Sequence, residues 1–247
     1  PEELYKLVYD FAWEDLLSST PYFSVTSNVH HESITNNLFV NVKVKDAIVD
    51  RLRNKMGKRP DTGPLLNKAV IHLYWSEDYA RLFIDTSGET LAKHGYRKIP
   101  GKAPMLESLA SATLLATAWD GKIPFVNPMC GSGTVAIEAA LLASGRKPGL
   151  LRKDYSFMHM DDYRPDTYLA ELKRIESEVS STGIPPILAT DMSEDAIRIS
   201  RINARVAGVE SLITFERCDF RKTTLPDNPG VVYFNPEYGE RLGDIQE

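Results

Sequence analysis

Cysteine is almost missing from this 247-residue chain. The two present, Cys130 and Cys218, form no CxxC pair and have no His at zinc-ligand spacing, so neither a disulfide framework nor a zinc site is expected. Histidine is equally thin: His30, His31, His72, His94 and His159 are scattered, and no metal is expected. No apolar run approaches the roughly 20 residues that cross a bilayer. The N-terminal PEELYKLVYD lacks the basic, apolar and small-residue succession of a secretion signal, so the expectation is a cytoplasmic protein with no membrane partner. Positive charge is not in excess either: 29 Lys and Arg stand against 34 Asp and Glu, a formal charge of -5, which argues against nonspecific nucleic-acid binding by the molecule as a whole. Repeats and low-complexity tracts are absent.

What is there is a globular composition, 43% hydrophobic and 26% charged, in a chain long enough for two domains. Residues 1–88 mix helical and strand patterns. VKVKDAIVDRLRNKM (42–56) spaces Val44, Ala47, Ile48 and Leu52 for a helix with one apolar and one basic side. KAVIHLYW (68–75) and YARLFIDT (79–86) read as a hairpin joined through Ser76, Glu77 and Asp78. After a polar connector over 89–104, residues 105–247 alternate: helix 105–119, strand 123–128, helix 134–144, strand 187–191, helix 193–208 from Ser193 to Gly208, and strands 212–219 and 230–236. Such alternation predicts an α/β, doubly wound, mainly parallel sheet whose ligand sits at the strands' carboxyl ends. The stretch between Ser144 and Pro186, a loop and a polar helix, reads as an insertion.

Charge is patterned locally. Lys43, Lys45, Arg51, Arg53, Lys55, Lys58 and Arg59 cluster against Asp46 and Asp50, and Lys93, Arg97, Lys98 and Lys102 meet no acid between Leu91 and Leu106. Each cluster taken alone fits a solvated face. Beside the chemistry below, Lys43, Lys45, Arg51, Arg53, Lys93, Arg97 and Lys98 become candidate RNA contacts.

The chemistry concentrates at strand ends. Asn127-Pro128-Met129-Cys130-Gly131-Ser132-Gly133-Thr134 leads from a strand into a helix, where glycines admit a ligand to the backbone and free N–H groups favour a carboxylate. Tight turns use glycine without any ligand too. Asp191 ends the next strand, where a carboxylate accepts from the hydroxyls of a ribose; capping the following helix is the competing role. Asp219 ends the third strand, placed for an adenine amino group, with Phe220 as a face for the ring. Asn235-Pro236-Glu237-Tyr238 follows the fourth. An aryl amine is a poor nucleophile because its lone pair is delocalised; an Asn side-chain oxygen and a Pro carbonyl accepting its two N–H groups localise that pair. Tyr238 is suited to stack on an extruded base. A turn is the ordinary reading of Asn-Pro.

The segments KVKDAIVDRLR, LFIDTSGETLAKHGYR, KAPMLESLA, NPMCGSGTVAIEAALLA, INARVAG and NPEYGERLG, in this order over most of residues 43–243, make the chain resemble the THUMP-containing RNA methyltransferases, most closely the bacterial large-subunit ribosomal RNA guanine-N2 methyltransferases. The resemblance implies a Rossmann-like S-adenosylmethionine-dependent domain over 105–247 behind a partial α+β THUMP-like RNA-binding domain over 1–88. It implies that cofactor is bound by Asn127, Met129, Cys130, Gly131, Gly133 and Thr134, by Asp191 with Met192, and by Asp219 with Phe220. Asn235, Pro236 and Tyr238 are then catalytic, and the partner is RNA, specifically 23S ribosomal RNA. Two positions depart from the family pattern, which has Asp where Asn127 stands and a second Pro where Glu237 stands. The resemblance also leads one to expect a partial chain, lacking the leading part of the RNA-binding unit and the strands after Glu247. Adenine N6 as target, and an RNA-binding module without catalysis, stay open as alternatives.

Overall fold

Strands that bury one face and wet the other need a helical layer on one side only, and strands buried on both faces need helices on each. The chain contains one sheet of each kind. The computed structural model describes residues 2–32, 34, 36–77, 79–101 and 104–236, which divide into two compact units: residues 1–90 with 153–169, and 91–152 with 170–247.

The first unit opens with α1 (Glu2–Asp10) and α2 (Glu14–Leu17), followed by β1 (Tyr22–His30), α3 (Asn37–Met56), β2 (Asp61–Thr62), β3 (Ala69–Ser76) and β4 (Tyr79–Asp85). Its sheet runs β2-β1-β3-β4, with β1 parallel to β2 and β3, and β4 antiparallel to β3. The expected hairpin is present, Val70 facing Asp85 and Ser76 facing Tyr79; Asp78 of its turn lies outside the described residues. Asn36 caps α3 by accepting from the Leu38 N–H at 2.9 Å. The apolar stripe of α3 (Val44, Ala47, Ile48, Leu52) packs with Trp13, Phe23, Ile71 and Leu73, each such burial contributing about 1.5–3 kcal/mol.

Residues 153–169, read from sequence as part of an insertion in the second domain, lie in the first unit. Met160 enters its core, the Ser156 hydroxyl accepts from the Val70 N–H at 2.9 Å, and Asp161 accepts from the N–H and hydroxyl groups of Ser18 and Ser19. Periodicity missed this because a short irregular segment has no period; what holds it is long-range.

In the second unit come α4 (Glu107–Ala116), β5 (Phe125–Pro128), α5 (Thr134–Ala143), α6 (Pro165–Glu176, begun in the first unit), β6 (Ile187–Asp191), α7 (Glu194–Ala207), β7 (Thr214–Arg217) and β8 (Val231–Val232). The sheet is wholly parallel in the order β7-β6-β5-β8. Both neighbours of β5 lie later in sequence, so the order reverses at β5, and ligands of such sheets bind outside the carboxyl ends at that reversal. All four β5 residues are buried, and α5 is buried almost all round, which accounts for its weak amphipathic pattern. α7 is capped as the sequence foretold: the Ser193 hydroxyl accepts from the Ala196 N–H, and Gly208 closes the helix in the left-handed conformation.

Candidate active site

Four chain segments leave the carboxyl ends of β5, β6, β7 and β8, and the described cofactor and catalytic candidates sit on them. From β5 the chain turns through Met129 (φ 55°), Gly131 (φ 56°) and Gly133 (φ 82°) into α5. A left-handed Met is strained, as turns at functional sites often are. The turn is pinned to β6 twice: the Cys130 N–H donates to the Thr190 carbonyl at 2.9 Å, and the Gly131 N–H donates to Asp191 Oδ2 at 2.9 Å. Asp191 Oδ1 accepts from the Ser193 N–H at 2.9 Å, so Asp191 braces the glycine turn while Ser193, not Asp191, caps α7.

Asn127 is 1% exposed. Its Nδ2 donates to the Tyr233 carbonyl at 3.0 Å and, less well aligned for strength, to the Pro128 carbonyl at 3.4 Å, while Oδ1 has no partner among the described residues. A carboxylate here could not donate to Tyr233; the amide ties β5 to the segment that carries Asn235. An orphaned buried acceptor is costly unless a donor arrives. Open space beside Gly131, where a Cβ would meet nothing within 4 Å, together with this orphaned acceptor suits a ligand bearing N–H groups and held against backbone. The residues present therefore fit a nucleoside carrying a free amino acid group, such as S-adenosylmethionine.

Cys130 is buried, and burial, with the Asp191 charge adding, pushes its thiol up to about 12, so it contributes backbone and packing but no nucleophile. Thr134 is buried at the start of α5, and Met192 is exposed, its carbonyl accepting from Arg217. Asp219 is bound by Arg221, side chain and backbone, and those hydrogen bonds hold its carboxyl down to about 2. Phe220 is half-exposed and meets Phe234 edge to face, 6.1 Å between centroids. Phe234 escaped the sequence reading; its place next to Asn235, on the strand of the Asn-Pro motif, was the available signal. Asn235 is half-buried and Pro236 exposed, while Glu237 and Tyr238 lie outside the described residues.

The candidate RNA contacts divide. Arg51 is engaged within the protein: it pairs with Glu14 through two hydrogen bonds of 2.6 and 3.0 Å, holding that carboxyl down to about 2, and its side chain is 14% exposed. Arg97 is engaged too. Its guanidinium donates to the Met105 carbonyl and to Thr134 Oγ1 at 3.0 Å, and lies 3.6 Å from Glu107. Composition shows a cation but not the partner that occupies it. Lys45 pairs with Asp46 at 2.9 Å, Arg53 with Asp50 at 2.8 Å, and the Lys43 ammonium sits 5.7 Å from the Phe39 ring centre. Lys93 and Lys98 are exposed, and Lys102 lies outside the described residues. Among the described residues no group of three or more His, Cys, Asp or Glu could hold a metal ion, and no helix is long and apolar enough to cross a membrane.

Known proteins resemble this chain in sequence and in fold. Residues 94–247 match the family described as RMKL-like, methyltransferase domain, and residues 1–85 match the THUMP domain. The ribosomal RNA large subunit methyltransferase K/L of Vibrio campbellii is 36% identical over 247 residues, covering 98% of this chain and 35% of its own. Its namesake in Syntrophotalea carbinolica is 35% identical over 259 residues, covering 100% and 36%. The chain thus spans about a third of the length of the curated relatives it matches. Among solved structures, SMU.472 complexed with SAH, described as a putative methyltransferase, has a TM-score of 0.83 at 30% identity, covering 99% of this chain and 65% of that one. A Listeria monocytogenes protein described as an N6-adenine-specific DNA methylase has a TM-score of 0.82 at 33% identity, covering 99% and 64%.

Proposed function

The chain belongs to the RMKL-like methyltransferase-domain family, with a THUMP domain preceding that domain, and from this premise we propose that it methylates RNA, on the exocyclic N2 amine of a guanine in 23S ribosomal RNA, with S-adenosylmethionine as donor. The observation that carries the reading is the link between the two halves of the site. Asn127, at the end of β5 beside the glycine turn, holds the carbonyl of Tyr233, two residues before Asn235.

The cofactor supplies an electrophilic methyl group on a sulfonium. What the chain supplies is placement and electron localisation. The glycine turn and Asp191 would bind one end of the cofactor, Asp219 and Phe220 would receive its base, and Asn127 Oδ1 would accept from an N–H group. Asn235 Oδ1 and the Pro236 carbonyl would accept the two N–H hydrogens of the target amine, so that its lone pair is held on nitrogen instead of being delocalised into the ring. Exposed Phe234 offers a face for an extruded base. Lys93, Lys98, Lys43, Lys45 and Arg53 are the remaining candidates for phosphate contacts.

Methyl transfer from labelled S-adenosylmethionine to ribosomal RNA purified from cells lacking the protein tests the reading. Asn235→Ala is expected to lower kcat about 100-fold or more, the scale of removing one oriented hydrogen-bonding group from a transition state. Full activity in that variant would remove Asn235 from the mechanism. A second reading is favoured by the description of the Listeria neighbour: adenine N6 as acceptor. The same two acceptors serve that amine, and nuclease digestion with mass spectrometry separates methylguanine from methyladenine.

A further inference from the structure

Asn203 lies in the segment INARVAG and has no role assigned from sequence, yet its side chain uses all its hydrogen-bonding capacity beneath the glycine turn. Asn203 is wholly buried on α7. Its Oδ1 accepts from the Lys98 N–H at 3.0 Å and the Ile99 N–H at 3.3 Å. Its Nδ2 donates to the Ile99 carbonyl at 3.1 Å and to the Ser132 carbonyl at 3.2 Å. An amide has two donors and two acceptor positions, and here all four are used. One side chain thus joins three separate pieces of chain: α7, the segment 98–99, and the turn between β5 and α5.

The same three pieces meet elsewhere. Gly133 lies so close to α7 that a Cβ would stand 2.7 Å from Ser200 Cβ, and Ser200 is one helical turn before Asn203. Gly101 approaches Ser132, and Arg97, at the head of the segment, donates to Thr134 Oγ1. Residues 97–101 therefore form a strap across the outside of the turn, and Asn203 is its central tie.

We propose that Asn203 is a positioning residue for the cofactor: by holding the Ser132 carbonyl and the strap at once, it fixes the direction of the turn's backbone groups toward S-adenosylmethionine. The proposal rests on the cofactor-binding role assigned above to residues 127–134. Aspartate is nearly isosteric with Asn203 but turns the two donors into acceptors, setting a carboxylate oxygen against the carbonyls of Ser132 and Ile99. The turn then moves away, and with it the cofactor's seat. Asn235 and Pro236 make no part of this tie, so the chemical step is spared once cofactor is bound.

Calorimetric binding of S-adenosylmethionine to the chain, wild type and Asn203→Asp, tests this, with KM and kcat for methyl transfer measured alongside. The expected result is a rise of about tenfold or more in cofactor Kd and KM, the scale of one buried polar group left without its partner, with kcat at saturating cofactor and the KM for RNA within about twofold of wild type. Leu114→Ala, a cavity variant on α4 outside the tie, controls for lost stability: it should melt earlier with cofactor Kd unchanged. Equal Kd in wild type and Asn203→Asp, or an equal loss in Leu114→Ala, overturns the proposal. Wild type without cofactor binding would instead overturn the function reading. Should Asn203→Asp not fold, hydrogen exchange on the wild-type chain decides: cofactor should slow exchange at the Lys98 and Ile99 amides, and unchanged exchange there overturns the proposal.

Discussion

Gly133 shows how much a single atom decides at the residue scale. With φ of 82° it occupies the left-handed region, and the backbone of α7 passes so near that a Cβ would stand 2.7 Å from Ser200 Cβ and 3.2 Å from its Cα. Gly133→Ala therefore combines the left-handed penalty of about 1–2 kcal/mol with an overpacking cost of about 1–3 kcal/mol. Denaturant melts of the variant are expected to show a loss of about 2–5 kcal/mol or a turn displaced enough to abolish cofactor binding. A variant with unchanged stability and affinity would mean that the turn tolerates a side chain. The glycine was legible in sequence as part of a strand-to-helix turn. Its reason, the approach of Ser200, was not, because that contact spans 67 residues of chain. Asn203 was illegible for the same reason, and Arg97 misleading: a basic residue among basic neighbours reads as a solvated cation until Glu107 and Thr134 are seen beside it.

β8 is the weak link at the scale of elements. It pairs with β5 over only Phe125↔Val231 and Val126↔Val232, extended by the Val231 N–H to the Pro124 carbonyl and the Tyr233 N–H to the Val126 carbonyl, both 2.8 Å. The Tyr233 hydroxyl adds a bond to Thr113 on α4 at 3.0 Å. The entry to this short strand is tight, since a Cβ on Gly230 would stand 2.4 Å from the Pro124 carbonyl oxygen, a backbone atom that cannot swing aside. Gly230→Ala is expected to lift β8 from β5 and shift Asn235, lowering kcat about tenfold or more while cofactor affinity, carried mainly by the segments after β5, β6 and β7, stays near wild type. Steady-state kinetics beside a binding titration reads the split; a cofactor Kd that rises while kcat holds would contradict it. The parallel sheet was legible because buried strands read as apolar runs between helices of regular period, whereas its strand order came only with the structure. The strands were overestimated at the start of β5, at both ends of β7 and past Val232 in β8, where exposed Phe234 extends the apolar run beyond the ladder.

Across the whole chain, the boundary between the units does not follow the order of residues. The first unit owns residues 153–169, which arrive from beyond α5 and supply a core side chain, Met160, and the hydroxyl that receives the Val70 N–H. The Ser156 and Phe157 N–H groups continue this seam by donating to the carbonyls of Ser87 and Thr86, and the Thr20 hydroxyl donates to the His159 carbonyl. Asp161 is held low in pKa, against the burial that opposes it, by the hydroxyl and N–H groups of Ser18 and Ser19. A carboxyl depressed in the folded state contributes stability above its unfolded value and loses it as pH falls through the folded one, so this clasp loosens in acid. A fragment cut at residue 90 leaves the Val70 N–H without its partner and a gap where Met160 sat, a loss of about 2–5 kcal/mol from a unit near the size at which cores are marginal. The expected result is a broad, poorly cooperative thermal melt for residues 1–90 alone. Adding a peptide of residues 153–169 should sharpen the transition and raise its midpoint with peptide concentration, as any ligand of the folded state does. A sharp melt for 1–90 that the peptide leaves unmoved would show that the late segment rests on a domain already complete without it.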